Sequence, residues 1–321
     1  MMIAKWIDKY ALNQLHKVKS ENYQYAPPRR VPRQDEREQF YAATDLDLSF
    51  NLLPSKHYLE GTFQAQSAIK AEHKENQILS GEAYIQHVSA PNIVFVHGWR
   101  ADSHDRTKSI FHETFQKQGW NMFYYCMPYH LEREPEASSY SGEMMISANI
   151  ARTIDTVQQT IQELRGLIKW LKTYHGGPVI VVGISLGGFI SNLLATLEEE
   201  IDALISVFYA NRMSYAIYHT PAGKYIKQDL KDHGVEYENL AEYWRIIDPS
   251  EATPKISQDN ILLMSAKHDQ YVSNQDANKL WETWGRPARS IYNSGHAGFV
   301  FKKRAIAKET KAFIQKSLGP Q

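Results

Sequence analysis

Ser185, Asp269 and His296 stand in that order along the chain and are the three side chains that acyl transfer through a serine requires. A serine hydroxyl is a weak nucleophile and needs a base. Histidine can take and return a proton near pH 7. A buried carboxylate fixes the imidazole tautomer and stabilises the imidazolium. Singly, each has a plainer reading: a tight strand-to-helix turn around Ser185, a strand-end turn at Asp269, a satisfied loop histidine at His296. Together, in this order and each after an apolar run, they point to nucleophilic catalysis.

The elements that must position them are legible in the hydropathy. "PVIVVGI" is an apolar strand that runs into Gly183-Ile184-Ser185-Leu186-Gly187, and a helix over 186–198 leads out. The glycines allow a strained backbone and close strand–helix approach, which is the context of a nucleophile elbow. The helix N-terminus then places the Leu186 amide beside an oxyanion. A second amide should follow the strand "NIVFVHG", and Trp99 is the candidate. His97 reads as a loop-holding histidine, since the base lies elsewhere. "ILLMSAKHD" and "SIYNSGH" deliver Asp269 and His296. Asp248 also precedes the last two strands and competes for the role of orienting acid. An aspartate in place of Ser185 would have suggested alkyl-enzyme chemistry; serine favours acyl transfer.

Apolar strands alternating with helices (106–118, 149–173, 275–285 and 299–317 among them) mean an α/β fold, a mostly parallel sheet covered on both faces. Two β-rich stretches from residue 58 precede it. Residues 1–57 read as a helical extension and linker, with Ile3, Ile7, Tyr10, Ala11, Leu15 and Val18 forming the apolar stripe of a docking or membrane-surface helix. Residues 211–250 break the alternation and are rich in tyrosine. They read as a small helical cap inserted in a core of 58–210 and 251–321, with Tyr215 and Tyr218 as substrate contacts and a preference for medium or longer acyl chains. His130 and Arg133 follow the strand "NMFYYCMP" and read as further substrate contacts or loop pins.

Lys plus Arg and Asp plus Glu are both 36, so charge balance gives no reason to expect nucleic acid or an anionic membrane as partner. The run Arg29, Arg30, Arg33 is followed by acids and reads as solvated linker. The single cysteine, Cys126, lies in an apolar strand and reads as core; with no disulfide possible, a reducing, cytoplasmic location is expected. Lys5, Asp8 and Lys9 interrupt the N-terminus, which is neither signal peptide nor membrane span. Asp102, His104, Asp105 and His112 lack a metal-ligand spacing, and no glycine-rich phosphate loop follows a strand, so no metal and no cofactor are expected. Oligomeric state is not encoded in any motif.

"YYCMPYHLERE", "GISLGG", "SAKHDQYV" and "NSGHAGFVFKKRAI" together resemble the α/β-hydrolase superfamily from Val94 onward, in a branch that includes α/β-hydrolase domain-containing protein 18. The resemblance implies a serine hydrolase with Ser185, Asp269 and His296 as its triad, and leaves the substrate open. The residues themselves favour hydrolysis of a small ester, thioester or lipid-like molecule through an acyl-Ser185 intermediate. A non-catalytic ligand-binding protein and a serine peptidase are the alternatives.

Overall fold

The computed structural model describes residues 2–19, 25–30 and 32–319. The chain opens with α1 (Met2–Leu15) and a short α2 (Arg37–Phe40). Three strands follow, β1 (Ser49–Pro54), β2 (Leu59–Gln66) and β3 (Ile78–Ile85). Then strands and helices alternate: β4 (Asn92–Val96), α3 (Asp105–Gln116), β5 (Asn121–Cys126), α4 (Ile150–Tyr174), β6 (Val179–Ile184), α5 (Leu186–Ala195) and β7 (Ala203–Val207). Three short helices, α6 (Met213–His219), α7 (Lys224–Asp232) and α8 (Tyr237–Tyr243), interrupt this before β8 (Ile261–Ala266), α9 (Asn274–Thr283), β9 (Ala288–Tyr292) and α10 (Lys303–Leu318).

All nine strands form one sheet in the order β1-β2-β3-β5-β4-β6-β7-β8-β9. β1, β2, β3 and β5 pair antiparallel, and β5 through β9 are parallel. The side-chain period of two divides the central strands between two cores. Val94, Val96, Val179 and Val181 face α4, α5 and the inserted helices. Ile93, Phe95, Ile180 and Val182 face α3 and α10. Both faces of β4, β5, β6, β7 and β8 are buried, which is why these strands read as unbroken apolar runs. The long helix α4 starts where its capping residue dictates: the Asn149 side chain accepts a hydrogen bond from the Arg152 amide at 2.9 Å.

The sheet starts earlier than the sequence pattern suggested. β1 lies inside the segment read as extension and linker, and joins β2 in a hairpin that pairs Ser49 with Gln64 and Pro54 with Leu59. It is an edge strand with little burial, so its alternation is weak. The expected linker is also partly anchored, and residues 20–24 and 31 of it lie outside the described residues. Tyr41 is fully buried. Gln158 and Gln162 of α4 donate to the Phe40 carbonyl at 2.7 and 2.9 Å. Arg30 and Arg33 make exposed ion pairs with Glu36 and Asp35.

Candidate active site

β6 ends at Ile184, and the next residue turns the chain. Ser185 has φ 56° and ψ −113°, a left-handed conformation that an ordinary side chain avoids and that costs on the order of 1–3 kcal/mol. The surroundings enforce it. The Ser185 amide donates to the Val207 carbonyl of β7 at 2.9 Å. A Cβ on Gly183 would lie 2.3 Å from the Gly187 carbonyl oxygen, and one on Gly187 would lie 2.0 Å from that of Val96. Both positions therefore need glycine, and α5 can start directly at Leu186.

Asp269 and His296 leave the neighbouring strand ends β8 and β9. The carboxylate of Asp269 is fixed by its own turn: Oδ1 accepts from the amides of Tyr271 and Val272, each at 2.8 Å. Its Oδ2 lies 2.7 Å from His296 Nδ1, and His296 Nε2 lies 3.0 Å from Ser185 Oγ. With Asp269 accepting, the ring proton sits on Nδ1 and Nε2 is free to take the serine proton. Tyr271 stacks on the imidazole, with centroids 4.7 Å apart and planes at 22°. Burial opposes the imidazolium, but the adjacent Asp269 carboxylate, and Asp8 beyond it, outweigh that cost and hold His296 above its ordinary 6.5. Asp248 does not reach the imidazole. It lies buried near Asp276, Glu251 and Arg212, and burial first, then the neighbouring acids, push its carboxyl well above the usual range.

The loop after β4 runs beside the serine; a Cβ on Gly98 would be 3.5 Å from that of Ser185. His97 shapes this loop. Its Nε2 accepts from the Met127 amide at 3.1 Å, so Nδ1 carries the proton and donates to the Gly98 carbonyl at 2.9 Å. That carbonyl belongs to the same planar peptide as the Trp99 N–H, so fixing one fixes the other. Burial pushes His97 down to about 3, which keeps it neutral. The Trp99 indole donates to Gly142 at 2.9 Å and anchors the loop from its far side.

Ser185 opens into a small cavity of about 60 Å³ lined by Trp99, Ile146, Leu186, Ala210, Met213, Ala216, Ile217, Ala222, Gly223, Tyr271 and Val272. Residues 211–250 do contribute walls, but aliphatic ones. Tyr215 and Tyr218 are not among the lining residues. Tyr215 donates to Gln275 at 3.1 Å, and the Tyr218 hydroxyl donates to the Val235 carbonyl. The rings pack on one another and on His219, so the aromatic density serves the internal packing of α6 and α8.

His130 and Arg133 do not line the cavity either. Arg133 is fully buried and donates to Glu163 at 2.7 and 2.9 Å and to the Cys126 carbonyl at 2.9 Å. Its two terminal nitrogens are engaged by Glu163 of α4 and by the carbonyls of Cys126 and Asn76, an arrangement that pins its loop. His130 is buried with Nδ1 2.9 Å from the Pro128 carbonyl. Cys126 is buried in the sheet, and burial pushes its thiol up. Sequence reasoning missed Asp8 of α1, which reaches the His296 loop. The available signal was a carboxylate one turn before Leu12, on a helix whose other acids are absent.

The single sheet with helices on both faces, and the strained serine between β6 and α5, define an α/β-hydrolase fold. An acetyl xylan esterase from Paenibacillus sp. R4 has the same fold, with a TM-score of 0.66 and 14% identity over 90% of this chain and 98% of that one. The family model for alpha/beta hydrolase domain containing 18 matches residues 89–221. YdjC of Bacillus subtilis (strain 168) is 52% identical over 115 residues, which are 36% of this chain and 99% of that protein. Rv2627c of Mycobacterium tuberculosis (strain ATCC 25618 / H37Rv) is 25% identical over 236 residues, 71% of this chain and 54% of that one, so the chain spans about half the length of this relative. The chain belongs to the alpha/beta hydrolase domain containing 18 family. No helix among the described residues is long and apolar enough to cross a membrane.

Proposed function

We propose that the chain is a serine hydrolase that cleaves a carboxylic ester or thioester with a small apolar acyl group. The observation that carries this reading is the unbroken chain Ser185 Oγ, His296 Nε2, His296 Nδ1, Asp269 Oδ2 at 3.0 and 2.7 Å, opening on an apolar cavity. Ser185 Oγ attacks the substrate carbonyl carbon while His296 Nε2 takes the hydroxyl proton. The oxyanion is met by the amides of Leu186, at the N-terminus of α5, and of Trp99. Collapse expels the alcohol or thiol, which leaves with the proton from His296. Water then attacks the acyl-serine by the same route and releases the acid.

A protein that only bound a ligand here would gain nothing from the strained backbone at Ser185 (φ 56°), whereas a nucleophile gains exposure from it. The peptidase alternative needs room for a polypeptide on the acyl side, and a cavity of about 60 Å³ favours a compact acyl group. A fluorophosphonate probe is expected to label the wild type and to leave Ser185→Ala unlabelled. Equal labelling of the two proteins would end the proposal.

A further inference from the structure

α1 is bound to the rest of the molecule in an inverted way. Ile3, Trp6 and Tyr10 are exposed, at 76%, 66% and 55%, while the carboxylate of Asp8 is fully buried. Burying a carboxylate is costly unless its oxygens are hydrogen-bonded, and here they are. Oδ2 accepts from the amides of Gln270, at 3.0 Å, and His296, at 2.8 Å; Oδ1 accepts from the amide of Ala297, at 2.8 Å. Gln270 follows Asp269 and Ala297 follows His296, so one carboxylate ties together the two loops that carry the base and its orienting acid. Gly295 makes the approach possible, because a Cβ there would lie 2.5 Å from Asp8 Oδ1.

The far end of α1 is tied to two other walls of the site. Arg100, next to Trp99, donates to the carbonyls of Leu15 and Val18 at 2.6 and 3.2 Å. Tyr225 of α7 donates to the His16 carbonyl at 3.2 Å. The helix thus spans the His296 loop, the loop after β4 and the inserted helices.

We propose that Asp8 is a positioning residue for His296, which makes the N-terminal helix a working part of the site. This rests on the hydrolase reading above. Asp8 acts through backbone amides, holding Nε2 at its distance from Ser185, and through its charge. The groups that face the imidazole are Asp269, Asp8, Arg106, and the rings of Tyr271 and Phe208. Both acids favour the imidazolium and Arg106 opposes it. Neutralising Asp8 leaves Asp269 as the only acid of this set, so the His296 pKa falls.

The test uses the full chain as wild type, Asp8→Asn, Asp8→Ala, Gly295→Ala, the Asp8→Ala/Gly295→Ala double variant, and Trp6→Ala as an exposed control. Rates on a p-nitrophenyl ester are measured against pH, and the His296 imidazole is titrated by NMR, a reading that needs no turnover. The base works as the neutral ring, so the acid limb of kcat/KM follows the His296 pKa. Asp8→Asn should lose about 100-fold in kcat with KM little changed, since an Asn oxygen cannot replace both carboxylate oxygens. Its acid limb and its imidazole titration should both move to lower pH. Gly295→Ala should be impaired alone, yet cost little when added to Asp8→Ala, because the new methyl takes the space of the lost carboxylate. Trp6→Ala should behave as wild type. An unchanged kcat together with an unchanged titration in Asp8→Asn overturns the proposal, and so do additive losses in the double variant. If the wild type neither turns over esters nor takes the fluorophosphonate, the hydrolase reading has failed; the titration still shows whether Asp8 governs His296.

Discussion

Ser185 and His296, the nucleophile and the base of the proposed reaction, are held in opposite ways. Ser185 is set by its immediate neighbours: Gly183 and Gly187 on either side, the start of α5, and one hydrogen bond to β7. His296 is set by residues from two distant parts of the chain: the turn after β8, with Asp269 bonded to it and Tyr271 stacked on it, and α1, with Asp8 reaching its loop across a separation of 288 residues. The first arrangement is stiff because its contacts are backbone against backbone. The second is adjustable, because removing one side chain loosens it.

That contrast can be broken at its hinge, the acid proposed to orient the base. Asp269→Asn is expected to lower kcat by about 10⁴-fold with the fold intact, because the amide favours the wrong imidazole tautomer. Asp248→Asn, at matched folding, should keep its activity, since Asp248 lies among Asp276, Glu251 and Arg212 instead. Loss of activity in Asp248→Asn alone would reassign the acid.

The stiffness of the serine side is tested by a single methyl. In Gly187→Ala the new Cβ meets the Val96 carbonyl oxygen at 2.0 Å, and no side-chain change can relieve a backbone clash. A loss of roughly 3 kcal/mol in unfolding free energy is expected by chemical denaturation. A Gly187→Ala protein as stable and active as wild type would show that the elbow is softer than its geometry implies.

The smallest expected effect concerns the acyl wall. Each methylene buried is worth about 0.8 kcal/mol, or roughly a three- to fourfold gain in kcat/KM. The cavity is small, at about 60 Å³, so the gain from acetyl should end within a few added carbons and reverse by octanoyl. This narrows the medium or longer chain that the tyrosine-rich segment suggested. Ala216→Leu, which fills the cavity from α6, should keep acetyl activity and lose the advantage of the longer acyl groups. A wild-type profile that still climbs at octanoyl would mean that the inserted helices open.

How much was legible follows the same division. Ser185 and Asp269 each follow a buried strand, and buried parallel strands write themselves as apolar runs that place a strand end to within a residue or two; His296 follows β9, an edge strand whose residues are exposed or half-buried. The succession β4 to β8 and the covering helices were legible for that reason. β1 was not, because an edge strand exposes most of its side chains and alternates weakly. The stripe of α1 did not say which of its residues dock: Ile3 and Tyr10 are exposed, while Leu12, outside that stripe, is buried. Arg133 looked available for substrate because its partner Glu163 lies in a helix 30 residues on.

The sequence by itself determined the fold class and the local geometry at Ser185, since Gly-Ile-Ser-Leu-Gly between a strand and a helix leaves the backbone few conformations. Only the tertiary structure decided that Asp269 and not Asp248 lies against His296, that Arg133 and His130 are turned inward, that the inserted helices line the cavity with aliphatic side chains rather than their tyrosines, and that a carboxylate near the N-terminus holds the His296 loop. Those outcomes depend on which distant atoms share a neighbourhood. Periodicity and spacing report only on residues within a turn or a strand of one another, whereas the partner of a buried charge is chosen by the packing of the whole sheet.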